Sequence, residues 1–324
     1  MPSYPGISSE AFRHPLDRQA EQALRAVPGF DMVARKFMEF IYERPRYVYL
    51  MGNSIEVGPR QYSTLYQMFR ECVRDLDITP EPTLFVSQAP LVNAYALGQE
   101  KPCVVLNTAL LDLLGEAELR SVLAHELGHV KCGHTTLTQM ATWAITLIMG
   151  LSSATFGLSG LITTGLILSF YEWLRKAELS ADRASLLVMD DITPILHSMM
   201  KMAGGSNRYE NEISMDEFVR QSERYQQLDQ DGLNQVYKFL LYNNVTQGVF
   251  LTHPFTVERV TFVKEWAASD EYRQIRNGNY PRHSPAEGAV ETKAEAVATE
   301  GEVDTLRRQI EQLQQEIDRI KRSQ

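Results

Sequence analysis

Cysteine is scarce in this chain: 324 residues carry three, Cys72, Cys103 and Cys132, with no CxxC pair. That excludes a disulfide scaffold and a zinc ribbon, and the odd number fits a reducing compartment. Positive charge is also in deficit, with 32 Lys plus Arg against 41 Asp plus Glu and a net charge of −9. Nucleic-acid surfaces are typically basic, so no nucleic-acid partner is expected. The opening residues, MPSYPGISSEAFRHPLDRQ, hold neither the apolar run of a signal peptide nor an Arg-rich, acid-poor transit pattern. No signal peptide is therefore expected, and the location expected is the cytoplasmic side. A last absence is local: between Lys131 and Glu172 there is no Asp, Glu, Lys or Arg.

Apolar residues are in good supply, at 44% of the chain, enough for a substantial core. Residues 1–44 read as N-terminal helices, with Leu16, Ala20, Leu24, Val33, Phe37 and Ile41 at helical spacing on either side of Pro28-Gly29. RYVYLMGNSIEV reads as two short β runs joined by Gly52-Asn53, a hairpin signal. After an amphipathic helix from Arg60 to Asp75, the pieces TLFVS (83–87), NAYAL (93–97) and CVVLN (103–107) read as a small sheet. Thr108 opens a short helix, and EAELRSVLAHELGHVKCGH then has unbroken helical periodicity. Residues 278–302 read as a flexible linker, almost without large apolar side chains. Beyond it Val303, Leu306, Ile310, Leu313, Ile317 and Ile320 form an a/d seam, with Glu302–Arg307 and Glu316–Lys321 as attractive pairs across a parallel dimer. The reading is a coiled-coil helix over 303–322 and a homodimer, with a single helix docked on the body as the alternative.

The chemistry is concentrated in His125-Glu126-Leu127-Gly128-His129. On a helix, residues four apart share a face, so both imidazoles can hold one Zn²⁺, with Glu126 beside the open position as general base. A third ligand is needed. KAELSADRA offers Glu178 and Asp182 one helical turn apart, one to bind metal and one to hold a ligand histidine by its other nitrogen. Glu172, His134 and His253 are the alternatives; helical phase turns Glu172 away, and His134, five residues after His129, falls off the metal face at helical spacing. Glu178 is the ligand expected.

These motifs resemble those of the gluzincin metallopeptidases of the HtpX-like and CAAX-prenyl-protease type, zinc-dependent proteases with chaperone function, over most of residues 45–265. NAYALG is similar to the family's edge strand beside the substrate cleft, which implies Asn93, Ala94 and Tyr95 as substrate-binding residues. AHELGHVKCGH resembles its zinc helix, and ELSAD its ExxxD, which implies Glu178 as ligand and Asp182 behind it. LTHPFTVERV resembles its late His-Pro…Arg motif, implying His253 near the metal as a transition-state donor or an occasional fourth ligand, and Arg259 as a brace.

The fold expected is α+β: a mainly helical metallopeptidase body over 45–277, a small sheet beside the zinc helix, an apolar helical hairpin over 137–171, and the C-terminal coiled coil. Because His125 and His129 precede the apolar segment and Glu178 follows it, that segment crosses a membrane twice or not at all. Fewer than 40 residues including a bend make two crossings of a core about 30 Å thick barely attainable. Membrane association through 137–171 is expected, with a buried hairpin as the alternative. The function expected is zinc-dependent endoproteolysis of polypeptides, misfolded or membrane-associated. The alternative is a non-proteolytic metal-containing assembly factor acting through 303–320.

Overall fold

The computed structural model describes residues 3–28, 30, 31, 34, 44–98, 101–140, 160–244, 249–250 and 253–283. Residues Met1–Arg282 form one compact unit and His283–Gln324 a second. The linker from 284 onward and the heptads of 303–322 lie outside the described residues, as do most of the second N-terminal helix and 141–159 of the apolar segment.

Helices dominate. Ahead of the helix that carries HExxH come α1 (Pro15–Arg25), α2 (Arg44–Asn53), α3 (Ser63–Asp75) and the short α4 (Thr108–Leu113). Then follow α5 (Glu116–Lys131), α6 (Gly160–Met189), α7 (Thr193–Gly204), α8 (Met215–Asp229), α9 (Gly232–Tyr242), α10 (Thr256–Ala267) and α11 (Asp270–Arg276).

The strands β1 (Ile55–Glu56), β2 (Thr83–Ser87), β3 (Ala94–Leu97) and β4 (Cys103–Asn107) form one mixed sheet in the order β1-β2-β4-β3. β2 and β4 run parallel, while β1 and β3 are antiparallel to their neighbours. Leu84, Val86, Val104 and Leu106 point into the main helical core, and Phe85, Leu97, Cys103 and Val105 into a smaller cluster on the other face. With both faces covered, CVVLN reads as an uninterrupted apolar run instead of an alternating one, and all five residues are buried.

That smaller cluster corrects the expected hairpin at RYVYLMGNSIEV. Residues 44–53 are the helix α2, and β1 pairs with β2. Leu50 is buried against the sheet, and the Tyr47 ring meets Phe85 edge-on at 6.1 Å. The i, i+3 spacing of these two residues covers the sheet's outer face, and this packing outweighs the β-propensity of Tyr-Val-Tyr. The compact body also reaches further than 277: Pro281 accepts from Ser8 N at 3.0 Å and the Tyr280 ring packs against Tyr4.

The described ends of the apolar segment are protein-packed. Leu137, Met140, Leu166 and Phe170 are buried with Leu24 of α1 and with Phe30 and Trp173. Among the described residues no helix is long and apolar enough to cross a membrane.

Candidate metal centre

α5 begins at Gly115, whose N–H donates to the Glu118 carboxylate at 2.8 Å, and Glu116 and Glu118 place negative charge in its first turn. It runs through His125 and His129 and ends at Cys132-Gly133, where Gly133 takes the left-handed φ of +69°. The helix is therefore shorter than its periodicity suggests, and His134 lies beyond the break at the start of a new helical run, residues 134–140.

The Gly in HELGH has a packing reason. A Cβ at Gly128 would stand 2.6 Å from the Ala184 Cβ and 3.0 Å from the Ala181 Cα. Its absence lets α5 and α6 approach closely, and that approach brings the two histidines onto the carboxylates of α6. A methyl group there would force the helices apart at a cost of about 1–3 kcal/mol.

His125 Nε2 lies 3.2 Å from Glu178 Oε2, and His129 Nε2 lies 3.3 Å from Glu178 Oε1. The three ligand atoms fall within 4.8 Å of one another. Behind them, His125 Nδ1 is 3.0 Å from Asp182 Oδ1. Arg259 clamps Asp182 with two bonds, Nη2 to Oδ1 at 2.6 Å and Nε to Oδ2 at 2.9 Å, and its Nη1 stands 3.3 Å from Glu178 Oε2. Asp182 can only accept, so His125 carries a proton on Nδ1, and Nε2, facing Glu178, is the atom left to bind a metal.

The charged groups of this pocket shift one another, and burial lowers His129 in spite of the Glu178 carboxylate facing it. Burial alone would raise both carboxyls, yet Glu178 lies well below the usual range because His253, His125 and His129 face it. Asp182 is lowered likewise, chiefly by Arg259. Burial would depress His125, but the Asp182 and Glu178 carboxylates facing its two ring nitrogens outweigh that and push it up to about 10. Glu178 Oε2 is nevertheless buried without a hydrogen bond. Two imidazole nitrogens and a carboxylate converging on one buried point require a cation between them, a proton on an imidazole or a metal ion in its place. The residues fit a divalent metal ion, and a His₂Glu set with an open side is that of a catalytic site.

That open side is a cavity of about 240 Å³ lined by Asn93, Ala94, His125, Glu126, His253 and Arg259 among others. Glu126 is buried, and burial raises its carboxyl above the ordinary value, as suits a group that takes up and returns a proton. His253 sits at the mouth, its side chain 56% exposed and Nε2 3.5 Å from Glu178 Oε1. Val122, Ile195, Met199 and Met202 add an apolar wall.

β3 is an edge strand of the sheet, and among the described residues no strand pairs with its outer side. The bond from Asn107 N to Asn93 O and the register of Tyr95 with Val105 put residues 93, 95 and 97 in hydrogen-bonded pairs with β4. The backbone groups of Ala94 and Ala96 therefore face outward. Asn93 and Ala94 line the cavity, whereas the Tyr95 side chain lies on the sheet's other face, beneath Arg46. Glu172 is remote from the metal point, paired with Arg175 and Lys176. His134, disfavoured as a third ligand, is not among the three converging groups; what sequence reasoning missed is its contact with His129 across the break at Gly133, and Asp17 behind it, whose helix bears no metal motif.

Residues 59–267 match the family model described as Peptidase family M48. The chain belongs to that family. It is an HtpX-like gluzincin metallopeptidase. It is 34% identical over 272 residues to the plastoglobule-localized metallopeptidase 48, chloroplastic, of Arabidopsis thaliana, covering 83% of this chain and 76% of that one. A protease HtpX homolog of Methylibium petroleiphilum is 27% identical over 230 residues, 65% of this chain and 77% of its own. The metalloprotease YcaL of Escherichia coli is 28% identical over 178 residues, 55% of this chain and 59% of its own.

Proposed function

We propose that this M48 metalloprotease is a zinc endopeptidase whose metal is held by His125, His129 and Glu178. The observation that carries the reading is the convergence of those three ligands beside the buried Glu126, inside a cavity bordered by an open strand edge. Zinc bound there supplies Lewis-acid chemistry, polarising the scissile carbonyl and acidifying water. An extended substrate adds a strand to β3 through the outward N–H and C=O groups of Ala94 and Ala96, with Asn93 beside it. Glu126 takes the proton of the attacking water and delivers it to the leaving amine, a transfer its raised carboxyl pKa favours. His253, at the mouth, donates to the developing oxyanion. Arg259 holds Asp182, and through it His125, in the tautomer that leaves Nε2 free.

Backbone pairing implies loose sequence selectivity, so unfolded or membrane-derived chains are the substrates proposed. The surface agrees with apolar clients: Leu233, Val236, Tyr237, Leu240 and Leu241 are all at least half exposed along one stripe of α9. The same helix is tied to the His253 side of the cleft, where Tyr242 Oη accepts from Phe255 N at 2.8 Å. A lipid-associated location belongs to this reading, in keeping with a relative named for the plastoglobule. Homodimerisation through 303–320 and membrane contact through 137–171 are part of it as well. Removing metal with a chelator is expected to abolish cleavage of casein, and stoichiometric zinc to restore it. Cleavage that survives exhaustive chelation contradicts the reading.

A further inference from the structure

The second metal histidine is supported differently from the first. His125 donates directly to Asp182, but among the described residues no carboxylate bonds the Nδ1 of His129. Its Nδ1 meets His134 Nδ1 at 3.0 Å, and His134 Nε2 meets Asp17 Oδ2 at 3.0 Å. Both partners are fully enclosed, His134 being 1% exposed and Asp17 0%. The Asp17 oxygen also accepts from Ser180 Oγ at 2.7 Å and from Arg13 Nε at 3.0 Å, and Ser180 in turn accepts from His14 N at 2.9 Å. The His134 ring is wedged edge-on against Trp173, centroids 5.8 Å apart, and against His129 at 5.2 Å.

This arrangement orders protons. A carboxylate surrounded by donors can only accept, so His134 carries its proton on Nε2 and offers the Nδ1 lone pair. His129 then places its proton on Nδ1, toward that lone pair. Its Nε2 is left as a bare donor atom aimed at Glu178, which is the state a metal requires. We infer that His134 and Asp17 are positioning residues of the metal centre, fixing the tautomer and ring orientation of His129 by a two-step relay. The relay begins on α1, ahead of residue 59, where the match to the family model starts. The N-terminal helix, which packs along α6, is thereby a working part of the metal site.

The inference rests on the metal-site reading, and zinc affinity measured by chelator competition on the full chain tests the two separately. His134→Phe keeps a ring against Trp173 but offers no acceptor, and is expected to weaken zinc binding about 10- to 100-fold. His134→Asn sets an amide oxygen near the former Nδ1 position and is expected to recover most of that loss, although it packs worse. A role in packing alone predicts the reverse order. Asp17→Asn is expected to weaken binding as well. Thermal unfolding of the apoproteins checks that each variant is folded; should His134→Phe fail, His134→Ala takes its place and must bind at least tenfold more weakly than His134→Asn. Wild-type affinity in His134→Phe, or an Asn variant no better than Phe or Ala, overturns the relay alone. A wild-type chain that binds no zinc overturns the metal-site reading and the relay with it.

Discussion

His14 shows how much of this site depends on the state of single side chains. Its Nδ1 accepts from Leu16 N at 3.1 Å and so caps α1, a bond that only the neutral ring can make. Burial, aided by the nearby Arg183, lowers its pKa from 6.5 to about 4. Between those values the unfolded chain binds the proton that the folded chain refuses, so stability rises with pH across the window. The contribution is fully present above about pH 6.5 and is lost as pH falls toward 4, amounting to at most about 3 kcal/mol. Melting temperature followed from pH 7 to pH 4.5 is expected to fall less steeply in His14→Asn, which keeps a cap without the titration. Parallel curves would show that His14 does not carry the effect. Of the residues at the metal, the HExxH pair, Glu178, Asp182 and Arg259 were legible because each lies in a recognisable motif. Asp17 was not, since a lone aspartate in the first turn of a helix is also what any helix N-terminus favours.

At the scale of elements, the three main strands and α5 were legible from local pattern, because apolar runs bounded by turn residues leave few alternatives. The failures came where a distant surface decides. α2 is helical because Tyr47 and Leu50 must cover the sheet, a demand invisible within ten residues of sequence. The end of α5 turned on one glycine, and the motif spacing that made His134 look misplaced hid the bond it makes to His129. β3 carries the element-scale prediction. Ala96 presents its N–H at the open edge, so Ala96→Pro removes a hydrogen bond to an added strand without breaking the ladder to β4. Cleavage of an extended peptide is expected to fall about tenfold, consistent with loss of a backbone bond worth about 1 kcal/mol or somewhat more. Zinc content and melting temperature should stay unchanged. Unaltered cleavage would mean that substrate does not pair with β3.

Over the whole molecule, the metal site is assembled from parts far apart in sequence: α1, α5, the start of the run at 134, α6 and α10 all send side chains to it. Such a site cannot form before the chain has folded. Its histidines come together where Gly128 admits α6, Arg259 clamps Asp182 and Asp17 reaches His134. Glu126 is the residue that distinguishes a working peptidase from a metal-bearing scaffold, because a scaffold has no use for a carboxylate beside the open metal position. The most direct test is cleavage of casein by wild type and Glu126→Gln, with zinc quantified in both preparations. One zinc per chain in each, with activity lowered about a hundred- to ten-thousand-fold in the variant, is the result predicted. Equal cleavage by both proteins, or full zinc with no cleavage by the wild type, would contradict it.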